Sequence, residues 1–294
     1  MSEAMARKNR NRAYALPTLF TAGTLFCGYY CLMKTVQAIS LPAGMEDEAA
    51  RLYDHASLAI GLAVFTDGMD GKIARMTNAV SEFGREIDSL ADVITFGVAP
   101  ATLAFAWGIR APELTSNLWF GTWLPAIGYL MTFLYLTCGA ARLARFNVQT
   151  NPRPKNPGRP GRRYFVGLPI PPAAGMLAAI VHFCGGYPIQ HWWPWGILWL
   201  SLIGLLATLM VSTWRYASFK DLGFRVPGLL LVVVLAAIIF LIWNFSQPVL
   251  LAMASGFVLS GILTRIGGVI RRAKRGPADP AIQESIHESA ADSH

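Results

Sequence analysis

Uncharged apolar runs long enough to cross a bilayer recur along this whole chain. Eight can be marked, at roughly 16–39, 49–66, 84–107, 118–146, 167–185, 193–213, 226–243 and 247–267. A helix needs about 20 such residues to cross the hydrocarbon, whereas a barrel strand needs only about 10. Runs of this length therefore predict helices, whose backbone polar groups are all satisfied within the segment. Composition agrees: 54% of the residues are hydrophobic and only 14% are charged, against about 25% charged in an average soluble domain. A soluble globular enzyme and a disordered protein are both excluded, and the fold class is all-α, a polytopic membrane protein with about eight transmembrane helices. The second run carries Asp54 and His55 near its start, and the fourth is long enough to extend into water. The first follows a basic segment but is too long for a signal-peptide core, so it reads as a retained span.

The formal charge of +8 looks like a nucleic-acid signal until the positions are followed. With the N-terminus inside, 22 of the 25 Lys and Arg residues fall on inner segments; only Lys34, Arg51 and Arg110 fall outside. This is the positive-inside pattern. It supports the eight-span count and an N- and C-terminus in the cytoplasm, with basic residues meeting anionic lipid rather than nucleic acid. The chain then divides into a basic arm at 1–15, a six-helix core at 16–213, two additional helices with basic flanks at 214–275, and a tail at 276–294. The arm reads equally as an interfacial helix or a disordered segment. The tail is rich in Pro, Ala, Ser and acids and is expected to be disordered. Cys27, Cys31, Cys138 and Cys184 lie in or at the ends of apolar runs without metal-ligand pairing.

Six of the 17 acids crowd between Asp67 and Asp92, at the inner ends of the second and third spans. Carboxylates at a membrane edge are costly, and their default reading is functional. Asp67 and Asp70 are spaced i, i+3 and Asp88 and Asp92 i, i+4, so each pair shares a helix face if the helices continue through them. Two antiparallel helices joined by a short loop aim four carboxylates at one point. Four such charges repel and call for divalent cations, and all-oxygen ligation suits Mg2+, Mn2+ or Ca2+. Two metals in such a cluster are the arrangement that clamps phosphoryl groups. Gly71, without a Cβ beside Asp70, leaves room for a phosphate or nucleotide, and Arg75 one turn on can face a phosphate or a carboxylate. Gly68 and Gly84 fit the same picture.

Written out, these residues are Asp67-x2-Asp70-Gly71-x2-Ala74-Arg75-x8-Gly84-x3-Asp88-x3-Asp92. The stretch resembles the complete signature of the CDP-alcohol phosphotransferase family, with all eight fixed positions matched over 26 residues. The resemblance implies a six-helix membrane core, usually a homodimer, that moves a phosphatidyl-type group from a CDP-linked lipid to an alcohol and releases CMP. It implies that Asp67, Asp70, Asp88 and Asp92 ligate two divalent metal ions, Mg2+ or Mn2+, with Ca2+ as a non-productive occupant. It further implies that Asp67, Gly71, Ala74, Arg75 and Gly84 bind the CDP and its diphosphate, and that Asp92 is the general base. A carboxylate at the open end of a metal pair suits that role. No Ser-His or Cys-His covalent apparatus stands out, which favours direct displacement.

Three further blocks resemble the branch of that family whose acceptor is L-serine: Asp88-Ser-Leu-Ala-Asp92-Val-Ile-Thr-Phe-Gly97, Ala141-Arg142-Leu-Ala-Arg145-Phe-Asn147, and Phe165-Val-Gly167-Leu-Pro169-Ile-Pro171-Pro172. The resemblance implies CDP-diacylglycerol and L-serine as substrates, and phosphatidylserine and CMP as products. Arg142 and Arg145, i, i+3 on the inner side, could pair with the serine carboxylate, and Asn147 with its ammonium or a backbone group. The same arginines serve equally as positive-inside anchors or lipid-phosphate ligands. Thr18 and Thr24 stand where that branch usually carries Asn, which exchanges an amide's paired donor and acceptor for a hydroxyl. Pro169, Pro171 and Pro172 either bend the fifth span or start it, and Trp192, Trp193 and Trp195 suit an outer interfacial belt. Two other readings stay open. One keeps the family with glycerol 3-phosphate, an inositol phosphate or choline as acceptor; the other is a cation transporter, which the position of the acids at the inner face rather than the midplane disfavours.

Overall fold

The computed structural model describes residues 2–77, 82–109, 118–150, 164–189, 193–217 and 244–274, together with 236 and 240–242. In chain order the described elements are helices α1 (Ser2–Ser40), α2 (Glu46–Thr77) and α3 (Glu82–Asp92), a π-helical stretch (Val93–Val98), α4 (Ala99–Gly108) and α5 (Leu118–Thr150), strand β1 (Tyr164–Val166), α6 (Ile170–Phe183) and α7 (Trp193–Val211), strand β2 (Arg215–Ala217), and α8 (Ser246–Lys274). Stretches 84–108, 123–148, 194–211 and 246–265 are long and apolar enough to cross a membrane. The chain is a polytopic helical membrane protein. The expected seventh span falls almost wholly outside the described residues, and the tail 276–294 lies outside them entirely.

The basic arm is helical and continuous with the first span, since α1 starts at Ser2. A turn at Pro42–Met45, with Gly44 at φ 94°, returns the chain into α2. Glu46, Asp47 and Glu48 occupy the first turn of α2, where carboxylates complement the helix dipole. The α1 and α2 faces that meet are built from small residues. Cys27, Gly28, Cys31, Thr35 and Ala38 on α1 are buried, as are Ala56, Ala59, Ile60 and Ala63 on α2. Without a hydrophobic driving force between helices in lipid, small side chains let backbones approach and collect dispersion contacts. Large apolar side chains point outward instead: Phe26, Leu62, Trp123, Phe133 and Leu263 are each more than half exposed, as lipid-facing residues are.

The third expected span is one continuous rod made of α3, the π-helical stretch and α4. Its wide turn frees backbone carbonyls that side chains then claim. Tyr135 of α5 donates its hydroxyl to Phe96 O at 3.1 Å. At the far end of the rod, the Trp107 and Trp199 rings meet edge to face at 5.0 Å, and each indole donates to a backbone carbonyl, of Gly186 and Ala104 respectively.

Pro169 is the extended N-cap of α6, at φ −60° and ψ 146°, and Pro171 and Pro172 follow Ile170 within the first helical turn. The prolines therefore start the fifth span rather than bend it. Helix α6 has only 14 residues. Sequence reasoning did not foresee the short antiparallel ladder that joins β1 and β2, with Phe165 opposite Tyr216. It ties the link before α6 to the link after α7. Tyr216 stacks on Phe257 of α8, and Gly261 of α8 carries no Cβ to obstruct the Tyr216 ring. That contact docks α8 on the core.

Candidate active site

Helix α2 continues past the apolar run to Thr77, so Asp67 and Asp70 lie on one helix, as their spacing requires. Asp88 and Asp92 both lie on α3. The two helices bring Asp67, Asp88 and Asp92 together, each offering a carboxylate oxygen within 4.8 Å of the others. All three are half-buried. The side chains of Asp70, Ala74 and Arg75 lie outside the described residues, as does the setting of Gly71; their backbone is helical. Gly84 is half-buried one turn before Asp88.

Three carboxylates at this spacing repel one another. Asp67 stands just beyond the apolar run of α2. Burial, and then the charge of Asp88, push its carboxyl up to about 6 from 3.8. A divalent cation relieves both effects at once. Hard oxygen donors, partial burial and mutual spacing make this donor set fit Mg2+, Mn2+ or Ca2+, and not a soft metal that asks for thiolate or imidazole.

The residues expected to meet the acceptor lie on the last turns of α5. Arg142 is 9% exposed, sits within electrostatic reach of Asp92 and Arg145, and keeps a buried Nε–H without a hydrogen-bond partner among the described residues. A buried guanidinium donor left without a partner is costly. Arg145 donates from Nη1 to Val211 O, at the C-terminal end of α7, at 3.3 Å, which caps a helix whose last carbonyls are exposed by its geometry. Gly167, at φ 79°, lies against that cap: a Cβ there would stand 3.3 Å from Arg145 Nη2 and 3.0 Å from Ser212 O. Asn147 donates from Nδ2 to Ser89 Oγ at 2.8 Å, joining α5 to α3 between the two aspartates of α3. Of the three, Arg142 is within electrostatic reach of Asp92, Arg145 reaches the end of α7 and Asn147 reaches α3.

Sequence reasoning marked Thr24 only as a departure from the usual Asn and missed what the threonines around this site hold. Thr21 of α1 gives its hydroxyl to the Asp88 carboxylate. Thr24 pairs with Thr66, the residue before Asp67, at 3.0 Å. Thr95 of the π-helical stretch donates to Thr24 O at 3.2 Å. The available signals were the departure at Thr24 and the i, i+3 spacing of Thr21 and Thr24 in an otherwise apolar run.

This geometry agrees with what the chain is similar to. A family profile described as CDP-alcohol phosphatidyltransferase matches residues 14–206. Over 236 residues the chain is 35% identical to the CDP-diacylglycerol–serine O-phosphatidyltransferase of Helicobacter pylori (strain ATCC 700392 / 26695), covering 78% of this chain and 83% of that one. It is 33% identical over 208 residues to the enzyme of the same name from Bacillus subtilis (strain 168), covering 70% and 91%. A third of that name, from Methanocaldococcus jannaschii, is 33% identical over 162 residues, covering 55% and 63%. The matched span takes in the aspartate cluster, the π-helical stretch and the arginines of α5, and on these grounds the chain belongs to the CDP-alcohol phosphatidyltransferase family.

Proposed function

We propose that this protein transfers the phosphatidyl group of CDP-diacylglycerol to the hydroxyl of L-serine, giving phosphatidylserine and CMP. The observation that carries the reading is the convergence of Asp67, Asp88 and Asp92 within 4.8 Å, at the positions where the family resemblance asks for metal ligands. These three and Asp70 would hold two divalent ions, Mg2+ or Mn2+. When bound, the ions neutralise charge on the CDP-lipid diphosphate and on the departing CMP. Gly71, Ala74, Arg75 and Gly84 frame the nucleotide and diphosphate. Arg142 takes the serine carboxylate with its buried guanidinium. Asp92, beside it, accepts the serine hydroxyl proton as Oγ attacks the phosphatidyl phosphorus and the bond from that phosphorus to the CMP oxygen breaks. The positive-inside pattern supports termini and active site at the cytoplasmic face of the inner membrane, where serine arrives from water and the lipid from the bilayer. The resemblance supports a homodimer.

The test is to incubate purified protein with CDP-diacylglycerol, Mn2+ or Mg2+ and one candidate acceptor at a time, and to follow CMP release. Release with L-serine alone, abolished by chelator, is the expected result. Release with glycerol 3-phosphate, an inositol phosphate or choline in its place keeps the chemistry and overturns the acceptor. Release that survives exhaustive chelation overturns the metal site.

A further inference from the structure

Three threonines are nearly withdrawn from solvent at the α1–α2–α3 junction: Thr21 is 6% exposed, Thr24 2% and Thr95 not at all. A buried hydroxyl must find a partner, and these find theirs in a directed series. Thr95 spends its proton on Thr24 O. Thr66 spends its own on Ala63 O at 3.0 Å. In the 3.0 Å pair between Thr24 and Thr66, therefore, Thr24 is the donor. One turn earlier on the same face of α1, Thr21 donates to the Asp88 carboxylate. Gly28 allows this junction to close, because a Cβ there would lie 2.7 Å from Thr95 Oγ1.

We propose that Thr21 and Thr24 are positioning residues: a hydroxyl ladder on α1 sets Asp88 of α3 and the Thr66–Asp67 turn of α2 at the separation that divalent cation binding requires. The inference rests on the aspartate cluster being the metal site. Its physical basis is that α2 and α3 meet through the mutual repulsion of their carboxylates, so an outside element must hold them together before the cation arrives. Helix α1 does so from both sides, through a charge-assisted bond to Asp88 and a neutral bond beside Asp67. Thr24, where the resembled branch usually has Asn, is then a matched exchange. A hydroxyl of this length reaches Thr66 with a single donor.

The experiment titrates the full-length purified protein with Mn2+ alone, reading free Mn2+ by electron paramagnetic resonance, and measures CMP release separately. Thr21→Val, which keeps shape and removes the hydroxyl, is expected to weaken Mn2+ binding about tenfold, the scale of one lost hydrogen bond to a charged group. Thr21→Ser is expected to restore it. Thr24→Val and Thr66→Val break the same bond, so each should weaken Mn2+ binding and the double variant should be no worse than either alone. Wild-type affinity in Thr21→Val, or a Thr21→Ser as weak as Thr21→Val, overturns the ladder while leaving the metal site standing. If Thr21→Val does not fold, the Thr24 and Thr66 cycle decides, and additive losses there overturn the ladder. A wild-type protein that binds no Mn2+ overturns the metal reading, and the ladder with it.

Discussion

His182 holds Asp54 across the helix interface, Nδ1 to Oδ1 at 2.6 Å, and its Nε2 lies 2.9 Å from Ser246 Oγ. The three residues come from α6, α2 and α8. Asp54 precedes Asp67 by 13 residues on α2, about 20 Å along a helix, so this contact fastens the end of the bundle away from the aspartate cluster. Replacing His182 with Leu leaves a half-buried carboxylate without its partner. The expected loss is about 2 kcal/mol of stability, the scale of a hydrogen bond to a charged group. Thermal unfolding in detergent measures it, and Mn2+ dependence of the remaining activity should not move.

Asp92→Asn keeps the shape of the side chain and removes its basicity. General-base catalysis contributes about 100- to 10,000-fold, so CMP release should fall within that range or below detection while the unfolding temperature stays near that of the wild type. Normal turnover would remove Asp92 from the proton-accepting role.

Arg142 and Arg145 should separate in kinetics. Arg142→Gln removes the buried guanidinium beside Asp92, and the KM for serine should rise by at least about tenfold with little change in the KM for CDP-diacylglycerol. Arg145→Gln removes a cap on α7. It should lower stability and affect both substrates alike. A selective serine defect in the second variant, and none in the first, would exchange the two roles.

Gly28→Ala tests the junction by crowding rather than by deleting a bond. The added methyl meets Thr95 Oγ1 at 2.7 Å and the Thr95 backbone at 2.8 Å, so α1 must move outward. Overpacking of this kind costs about 1–3 kcal/mol, and activity should fall with it. An unfolding temperature equal to wild type would show that α1 yields freely.

Metal removal should reveal Asp67 through pH. Its carboxyl is raised from 3.8 to about 6 by burial and by Asp88, so the folded chain holds that proton more tightly than the unfolded chain. The cation-free protein should lose stability as pH rises through that window, between about 4 and about 6. With Mn2+ present the proton and the cation compete, and the trend should flatten or reverse. Unfolding temperature against pH, with and without Mn2+, reads both.

The aspartates were readable in the chain because their pattern is local: 26 residues carry both helical spacing and chemistry. Hydropathy marked the runs that α4, α5, α7 and α8 occupy for the same reason. What escaped was long-range or conditional. Asp54, His182 and Ser246 are separated by 128 and 64 residues, and nothing near any of them announces the other two. The threonines of α1 sit in an apolar run as ordinary neutral residues until α2 and α3 supply their partners. Arg142 and Arg145 are equivalent by spacing. Only the end of α7, which arrives from 66 residues downstream of Arg145, separates them.

The shortness of helix α6 has a consequence for where that helix can sit. Its 14 residues rise about 21 Å, several Å short of a hydrocarbon core of about 30 Å. The backbone just before it is not helical, yet Gly167 N–H reaches Trp214 O and Leu168 N–H reaches Leu209 O, so it carries no unmet donors into the apolar slab. Eight of those 14 residues are buried and only Phe183 is exposed, so the helix is sheathed by its neighbours and meets almost no lipid. It is thereby released from the match to bilayer thickness that a lipid-facing helix must make.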